Sequence, residues 1–271
     1  MYTMSLEDLP QDCFEQILSL TSPGDACRSS LVSLSIRAMA DMDSLWGMFL
    51  PSDYPEILSR LVTPIPYSSN KDLFIRLCSP NLIDCGKKMF SIEKSTGKKC
   101  YMLSARDLSI TWACNPLYWS WKCSSESRFA EVAELRTIWW LEIYGTMNSQ
   151  LLSPKTVYSA HLVIKLANRA YGLDSLPSEI SLEVGNYKSQ GTVYLSANRK
   201  TTEVDERVRP IRVLEERLRE RTDGWMEIEL GSFYNDGCYY NKDVKMSLKE
   251  VKGAHLKGGL IVEGIEIRPK N

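Results

Sequence analysis

The chain has 271 residues, 44% hydrophobic and 25% charged, with 33 basic against 34 acidic side chains and a formal net charge of −1. That length holds one large domain or two ordinary ones, and the composition is that of a soluble globular protein. The even balance of charge excludes a broad basic face for nucleic acid, and no run is long and apolar enough to span a bilayer.

The start, MYTMSLEDLP, has no basic opening and no apolar run, so no secretory leader is expected and the protein reads as cytoplasmic or nuclear. Residues 10–50 predict short helices. Pro10 suits a first helical position, and Phe14, Ile17 and Leu18 follow at helical spacing. Ser22-Pro23-Gly24-Asp25 predicts a second start, with a serine cap, a proline and an acid three residues on. Asp43 or Ser44 caps a third helix whose one face carries Trp46, Phe49 and Leu50. A helical module of ~40 residues cannot bury enough surface by itself. Either its apolar face is left for another protein or the helices dock on the rest of the chain.

Prolines at 51, 55, 64, 66 and 80 mark a connector, with helical turns in EILSRLV and KDLFIRLC. From Met89 the period changes to two. TVYSAHLVIKL puts Tyr158, Ala160, Leu162, Ile164 and Leu166 on one face. WMEIELG and DVKMSL alternate likewise, and KCYMLSA, TIWWLEIYG, EISLEV, GTVYLSA and LIVEGIEI are further strands, with Gly264 marking a bulge. Many short strands between turns predict an antiparallel sandwich. The charged stretch from Glu203 to Asp223 predicts a solvated loop or short surface helix.

Eight cysteines make no Cys-x-x-Cys pair, and the two histidines, His161 and His255, lie far apart. Neither a disulfide framework nor a metal site is expected; the cysteines read as reduced, small apolar residues, and no cofactor is implied.

The stretch ITWACNPLYWSW carries Trp112, Trp119 and Trp121 around an Asn115-Pro116 turn. Such crowding is either core or a flat aromatic surface. Trp121 and Trp225 read as core, as does at least one of Trp139 and Trp140.

LPQDCFEQILSLTSPGDACRSSLVSLSIRAMADMDSLWGMFLPSDY resembles a plant F-box. GKKCYMLSARDLSITWACNPLYWSWK, RFAEVAELRTIWWLEIYG, TDGWMEIELGSFYN and GLIVEGIEIRP resemble the Nictaba, or phloem protein 2, lectin family. The resemblance covers nearly the whole chain, with its blocks in family order. It implies two domains of α+β class: an all-α F-box over 1–51, a helical connector over 52–84 and a jelly-roll-type antiparallel sandwich over 85–271. It implies an F-box that binds a Skp-family adaptor, and through it a cullin, by Leu9, Pro10, Ile17 and Leu18. The sandwich would bind glycans or glycoproteins carrying N-acetylglucosamine or related N-acetylated sugars, and the ligase chemistry would lie in other subunits. The family's sugar-site tryptophans match Trp112 and Trp119, and its two acids match Asp243 and Glu250. Asp243 is shorter by a methylene than the family's glutamate. The family's lysine run, a nuclear signal, falls here on VYLSANRK.

An indole face stacks on the C–H face of a pyranose while carboxylates take its hydroxyls. From the residues alone, Asp243 and Glu250 read equally as solvated surface acids. Two further functions stay open. One is an F-box receptor whose sandwich recognises protein surface without sugar. The other is a glycosidase using Asp243 and Glu250, which needs carboxyl groups about 5 to 10 Å apart.

Overall fold

The computed structural model describes residues 9–195, 218–237 and 242–270. The chain divides into two units, Met1–Cys85 with Met89–Cys100, and Gly86–Lys88 with Tyr101–Asn271.

Among its described residues the first unit holds six short helices: α1 (Gln11–Ser19), α2 (Pro23–Ser29), α3 (Leu34–Ala40), α4 (Asp43–Phe49), α5 (Tyr54–Ser59) and α6 (Asn70–Leu77). Local capping explains several of them. Ser22 and Asp25 form a reciprocal capping box with Pro23 in the first turn of α2. Ser33 Oγ accepts from Ile36 N at 3.2 Å, and Ser69 Oγ from Asp72 N at 3.1 Å.

Three expectations change here. Pro10 lies just outside α1 as its N-cap, with ψ at 142°, and is not its first helical residue. Asp43 lies inside α4 and makes no side-chain cap. The helix capped by Ser33 precedes it, and at 7 residues it is too short for its apolar spacing to stand out from the sequence. Leu18 also leaves the adaptor-binding set. It is buried in one core with Phe14, Ala26, Ile36, Ala40 and Leu45. Ile17 and Pro10 are exposed, and Leu9 is half-buried. Trp46 closes this core by donating its indole N–H to Ala40 O at 2.9 Å, with the Phe74 ring edge-on at 5.2 Å. The short strands β1 (Asn81–Ile83) and β2 (Lys88–Ile92) pair beyond α6.

The strands of the second unit are β3 (Lys99–Ser104), β4 (Ser109–Ile110), β5 (Trp119–Lys122), β6 (Val132–Leu135), β7 (Leu141–Asn148), β8 (Thr156–Tyr171), β9 (Ser178–Val184), β10 (Tyr187–Val193), β11 (Leu218–Glu220), β12 (Met226–Asn235), β13 (Asp243–Glu250) and β14 (Gly258–Pro269). One sheet runs β3-β14-β8-β12-β11, with β6 also on β14 and β5 on β6; the other runs β10-β9-β13-β7-β4. All the registered pairs are antiparallel.

The inner faces of the two sheets bury Ile143, Met147, Ile180, Leu182, Val244, Met246 and Leu248 from one side and Leu260, Val262, Ile265 and Ile267 from the other. Alternation sets the burial of β13 cleanly. Strand β8 differs because it lies between β14 and β12, and its second face, Ser159, His161 and Val163, is buried as well. The expected bulge is present: the register on β8 shifts between Val262 and Gly264. A Cβ on Gly264 would lie 2.0 Å from Leu103 O, so the neighbouring backbone excludes any side chain there.

Most of the charged stretch from Glu203 falls outside the described residues, as does VYLSANRK after Leu195. Its described end is the strand β11 followed by a turn, where a loop or helix was expected. The cysteines depart from the small-apolar reading. Cys13, Cys27, Cys85, Cys114 and Cys123 are exposed, because they lie on outer helical faces and in turns.

Candidate functional site

The aromatic turn begins where β4 ends. Thr111 N donates to Glu142 O at 3.1 Å, extending the pairing with β7 by one residue. Trp112 then takes φ of +57°, a left-handed conformation in which a bulky L-residue is strained by about 1–2 kcal/mol. Asn115 closes the turn with its side chain, Oδ1 accepting from Leu117 N at 3.0 Å. Its carbonyl accepts from Tyr118 N and Trp119 N at 3.0 and 3.1 Å.

The three tryptophans divide the labour. Trp119 is 1% exposed, and its indole N–H donates to Thr111 O at 3.1 Å. Trp121 is half-buried, donates to Ala113 O at 3.1 Å and lies beneath the Arg106 guanidinium at 3.6 Å. Both staple the turn from inside β5. Trp112 alone is displayed, 43% exposed. The expectation that Trp119 forms part of a sugar platform is therefore corrected: a ring without an open face cannot stack on a ligand. Both halves of the original alternative hold, core for Trp119 and surface for Trp112.

The partners of Trp112 come from elsewhere. Its ring lies 5.2 Å from that of Tyr118 and 5.6 Å from that of Trp139, and Tyr118 and Trp139 meet edge-on at 6.5 Å. Trp139 is 45% exposed, and Trp140 is exposed beside it. This overturns the reading of at least one of them as core. TIWWLEIYG is not strand throughout: β7 starts only at Leu141, so both indoles sit on the irregular segment ahead of it. Trp225, by contrast, is buried as expected.

Glu142 anchors the other side of the cluster. Its carboxylate accepts from Trp140 Nε1 at 2.8 Å and Tyr144 OH at 3.0 Å, with Thr111 Oγ1 at 3.5 Å and Lys249 Nζ at 3.9 Å. The Lys249 ammonium lies over the Tyr144 ring at 4.7 Å. It is held above the ordinary lysine value first by the Tyr144 hydroxyl and then by Glu142 and Glu179, against partial desolvation.

Glu250 and Asp243 occupy opposite ends of β13. Seven steps of extended chain at ~3.3 Å each separate them by roughly 23 Å. One monosaccharide cannot touch both, and the separation is too great for a glycosidase pair. Asp243 is exposed, opposite Asn148 and remote in register from the aromatic cluster. Glu250 is 5% exposed. One of its oxygens accepts from Gly253 N at 2.9 Å, and the other lies against the buried Lys257 ammonium, with His255 Nε2 at 3.8 Å. Lys257 Nζ also donates to Trp139 O at 2.5 Å, and the backbones of Lys257 and Ile138 exchange hydrogen bonds at 2.8 and 2.9 Å. Glu250 is thus neither a solvated acid nor a ligand contact. It fixes Lys257, which fixes the segment bearing Trp139.

The residues missed from the sequence are Tyr118, Trp139, Trp140, Glu142, Tyr144 and Lys249. A signal for two of them existed. Consecutive tryptophans in a strand point to opposite faces, so at least one needed a partner outside the core.

A family model described as phloem protein 2 matches residues 98–269, and one described as F-box-like matches residues 6–49. The Arabidopsis thaliana F-box protein PP2-B15 is 45% identical over 97% of this chain and 96% of its own. The F-box proteins PP2-B10 and VBF of the same plant are 41% and 42% identical, each over 97% of this chain and over 93% and 99% of their own. Among solved structures, a Podospora anserina GH26-CBM35 mannanase aligns over 64% of this chain and 28% of that one, at 8% identity and a TM-score of 0.35, too distant to carry an argument.

Proposed function

Since the chain belongs to the F-box proteins that carry a phloem protein 2 domain, we propose that it is the substrate receptor of a Skp–cullin–F-box ubiquitin ligase and that its sandwich selects targets by their glycans. It performs no chemistry itself; ubiquitin transfer lies in the subunits it recruits. The observation that carries the glycan reading is the displayed cluster of Trp112, Tyr118 and Trp139, with Trp112 held in a strained backbone conformation. Strain of this kind persists where the surroundings impose it, and it marks binding sites more often than plain surface. The rings offer C–H stacking to a pyranose, and Glu142 and Lys249 stand at the edge of the cluster to meet hydroxyls and an N-acetyl group. The ligand class is glycans carrying N-acetylglucosamine or related N-acetylated sugars. Such an open site gives modest affinity, on the order of −4 to −8 kcal/mol.

The adaptor reading rests on the helical unit. Ile17 and Leu20 at the end of α1, Leu31 and Val32 between α2 and α3, and Leu34 at the start of α3 are exposed apolar side chains that no core covers. Two measurements on the full chain test the two readings separately. In a glycan array, N-acetylated sugars should be retained by the wild type and lost by Trp112→Ala. In a pull-down with a Skp-family adaptor, Leu31→Asp with Leu34→Asp should weaken capture by tenfold or more, at ~2 kcal/mol for a lost anchor. Retention of glycoproteins by a protein that binds none of the sugars in isolation would replace the lectin reading with recognition of protein surface.

A further inference from the structure

The outer face of the five-stranded sheet contains a trough that begins at the edge of the aromatic cluster and runs away from it. Its floor is one cross-strand row. Gln190 pairs with Ser181, Ser181 with Ser247, Ser247 with Tyr144, and Tyr144 with Ser109. Small side chains at the centre leave the floor low, and the Ser181 and Ser247 hydroxyls bond to each other at 2.8 Å. The flanking rows are longer. On one side stand Glu179, Lys249 and Glu142; on the other Lys188, Glu183 and Lys245. The result is a depression of about 440 Å³ over β10, β9 and β13.

Two features define what fits it. First, the walls alternate in sign and neutralise each other: Lys188 pairs with Glu183 at 2.6 Å, Lys252 with Glu179 at 2.5 Å, and Lys249 with Glu142 at 3.9 Å. These three pairs cancel, and the one charge left over, the exposed Lys245 opposite Glu183, is screened by solvent and gives little pull on a polyanion. The floor offers hydroxyl and amide groups that both donate and accept, which matches an uncharged ligand rich in hydroxyls. Second, the trough crosses the strands. At ~4.8 Å per strand the path from β10 over β9 and β13 to β7 spans roughly 14 Å, longer than one sugar ring. It ends at Tyr144 and Glu142, and Glu142 already holds Trp140 of the aromatic cluster.

We propose that this trough is an extended binding site for a linear, uncharged oligosaccharide, whose end lies on the Trp112 cluster and whose following units run over Ser247 and Ser181 towards Gln190. The proposal rests on the glycan reading of the aromatic cluster and adds to it a length requirement and a discrimination against charge.

The test is an NMR titration of the full chain with chitooligosaccharides from the dimer to the hexamer, and with an oligogalacturonate of hexamer length. Affinity should rise about tenfold or more from dimer to hexamer, the equivalent of one or two added hydrogen-bonding contacts. Ser181→Tyr, which fills the floor, and Gln190→Ala, which removes its far end, should each abolish that increment and leave the dimer affinity unchanged. Trp112→Ala should lower binding at every length. Dimer and hexamer of equal affinity, a Ser181→Tyr variant with the hexamer affinity of the wild type, or preference for the polyanion would each overturn the trough while leaving the aromatic site standing. Absence of binding at all lengths would overturn both.

Discussion

A left-handed backbone at Trp112 and an indole at Trp119 with no open face make opposite predictions for two tryptophans seven residues apart. Removing Trp119 takes out a buried ring and leaves Thr111 O without its donor. Trp119→Ala should therefore cost about 3–5 kcal/mol of stability. Trp112→Ala should melt near the native temperature and lose sugar binding about thirtyfold, at ~2 kcal/mol for a stacking anchor. Trp112→Gly sharpens the comparison. Glycine adopts a positive φ without penalty, so relief of ~1 kcal/mol of strain should hold or raise the melting temperature while binding is still lost. Melting and glycan titration of all three variants decide the matter; a large fall in stability for Trp112→Gly would mean that its ring is needed for the fold. At this scale the sequence was half legible. The crowding of aromatic residues located the turn, but periodicity could not say which ring faces out. That depended on the positive φ at Trp112 and on which carbonyls the other indoles reach.

Among elements, the informative case is the connection between β13 and β14. Glu250 ends one strand, Lys257 precedes the other, and their buried pair holds the segment ahead of β7 through Trp139 O. Breaking one side of such a pair leaves an uncompensated buried charge, worth about 3–5 kcal/mol. Lys257→Met alone should be strongly destabilising, whereas Lys257→Met with Glu250→Leu should recover much of the loss. The double variant restores burial but not the hydrogen bond to Trp139 O, so its sugar affinity should stay low although it is folded. A double variant with native affinity would remove Glu250 and Lys257 from the site's support. The strands themselves were well marked in the sequence. Alternation in DVKMSL gave the inner face of β13, and Gly264 gave the bulge. What alternation could not give was the distance between Asp243 and Glu250 in use. The resemblance implied a shared role for the two acids, but one is exposed at the far end of the strand and the other is buried against Lys257. Such burial by non-local chain has no local signature.

Over the whole second unit, the largest departure from a simple sandwich pattern is charge placed inside. Glu227 and Glu266 share Arg221 and Arg268 through contacts of 2.6 to 3.0 Å, and the fully buried Glu263 is held by Arg128 at 2.6 Å. Alternation in WMEIELG sets Glu227 opposite Ile228, on the face away from the inter-sheet core. Glu227 and Glu266 lie on the strands either side of β8 and are covered by the Arg221 and Arg268 side chains that pair with them. His161 of β8 lies in register between Glu229 and Glu266 and bonds Ser159 Oγ at 2.8 Å through Nε2. Desolvation, aided by Arg268, pulls its pKa down to about 4, although Glu227, Glu229 and Glu266 oppose the shift. A histidine whose folded value lies below its unfolded value of about 6.5 binds protons more readily when unfolded. Its contribution is thus complete above pH ~6.5 and is lost as the pH falls towards 4, by about 2 kcal/mol at pH 5. Glu227 acts in a lower window. Burial pushes its carboxyl up, but the hydrogen bonds and charge of Arg268, with Arg221, hold it at about 2, so its contribution is lost only below the ordinary glutamate range. The two windows can be separated. Denaturant unfolding of the wild type should show stability falling between pH 7 and pH 5, before the carboxylates titrate. His161→Gln keeps a hydrogen-bonding partner for Ser159 but cannot be protonated, and it should be nearly flat over that interval. Equal slopes for the two proteins would assign the pH dependence to groups other than His161.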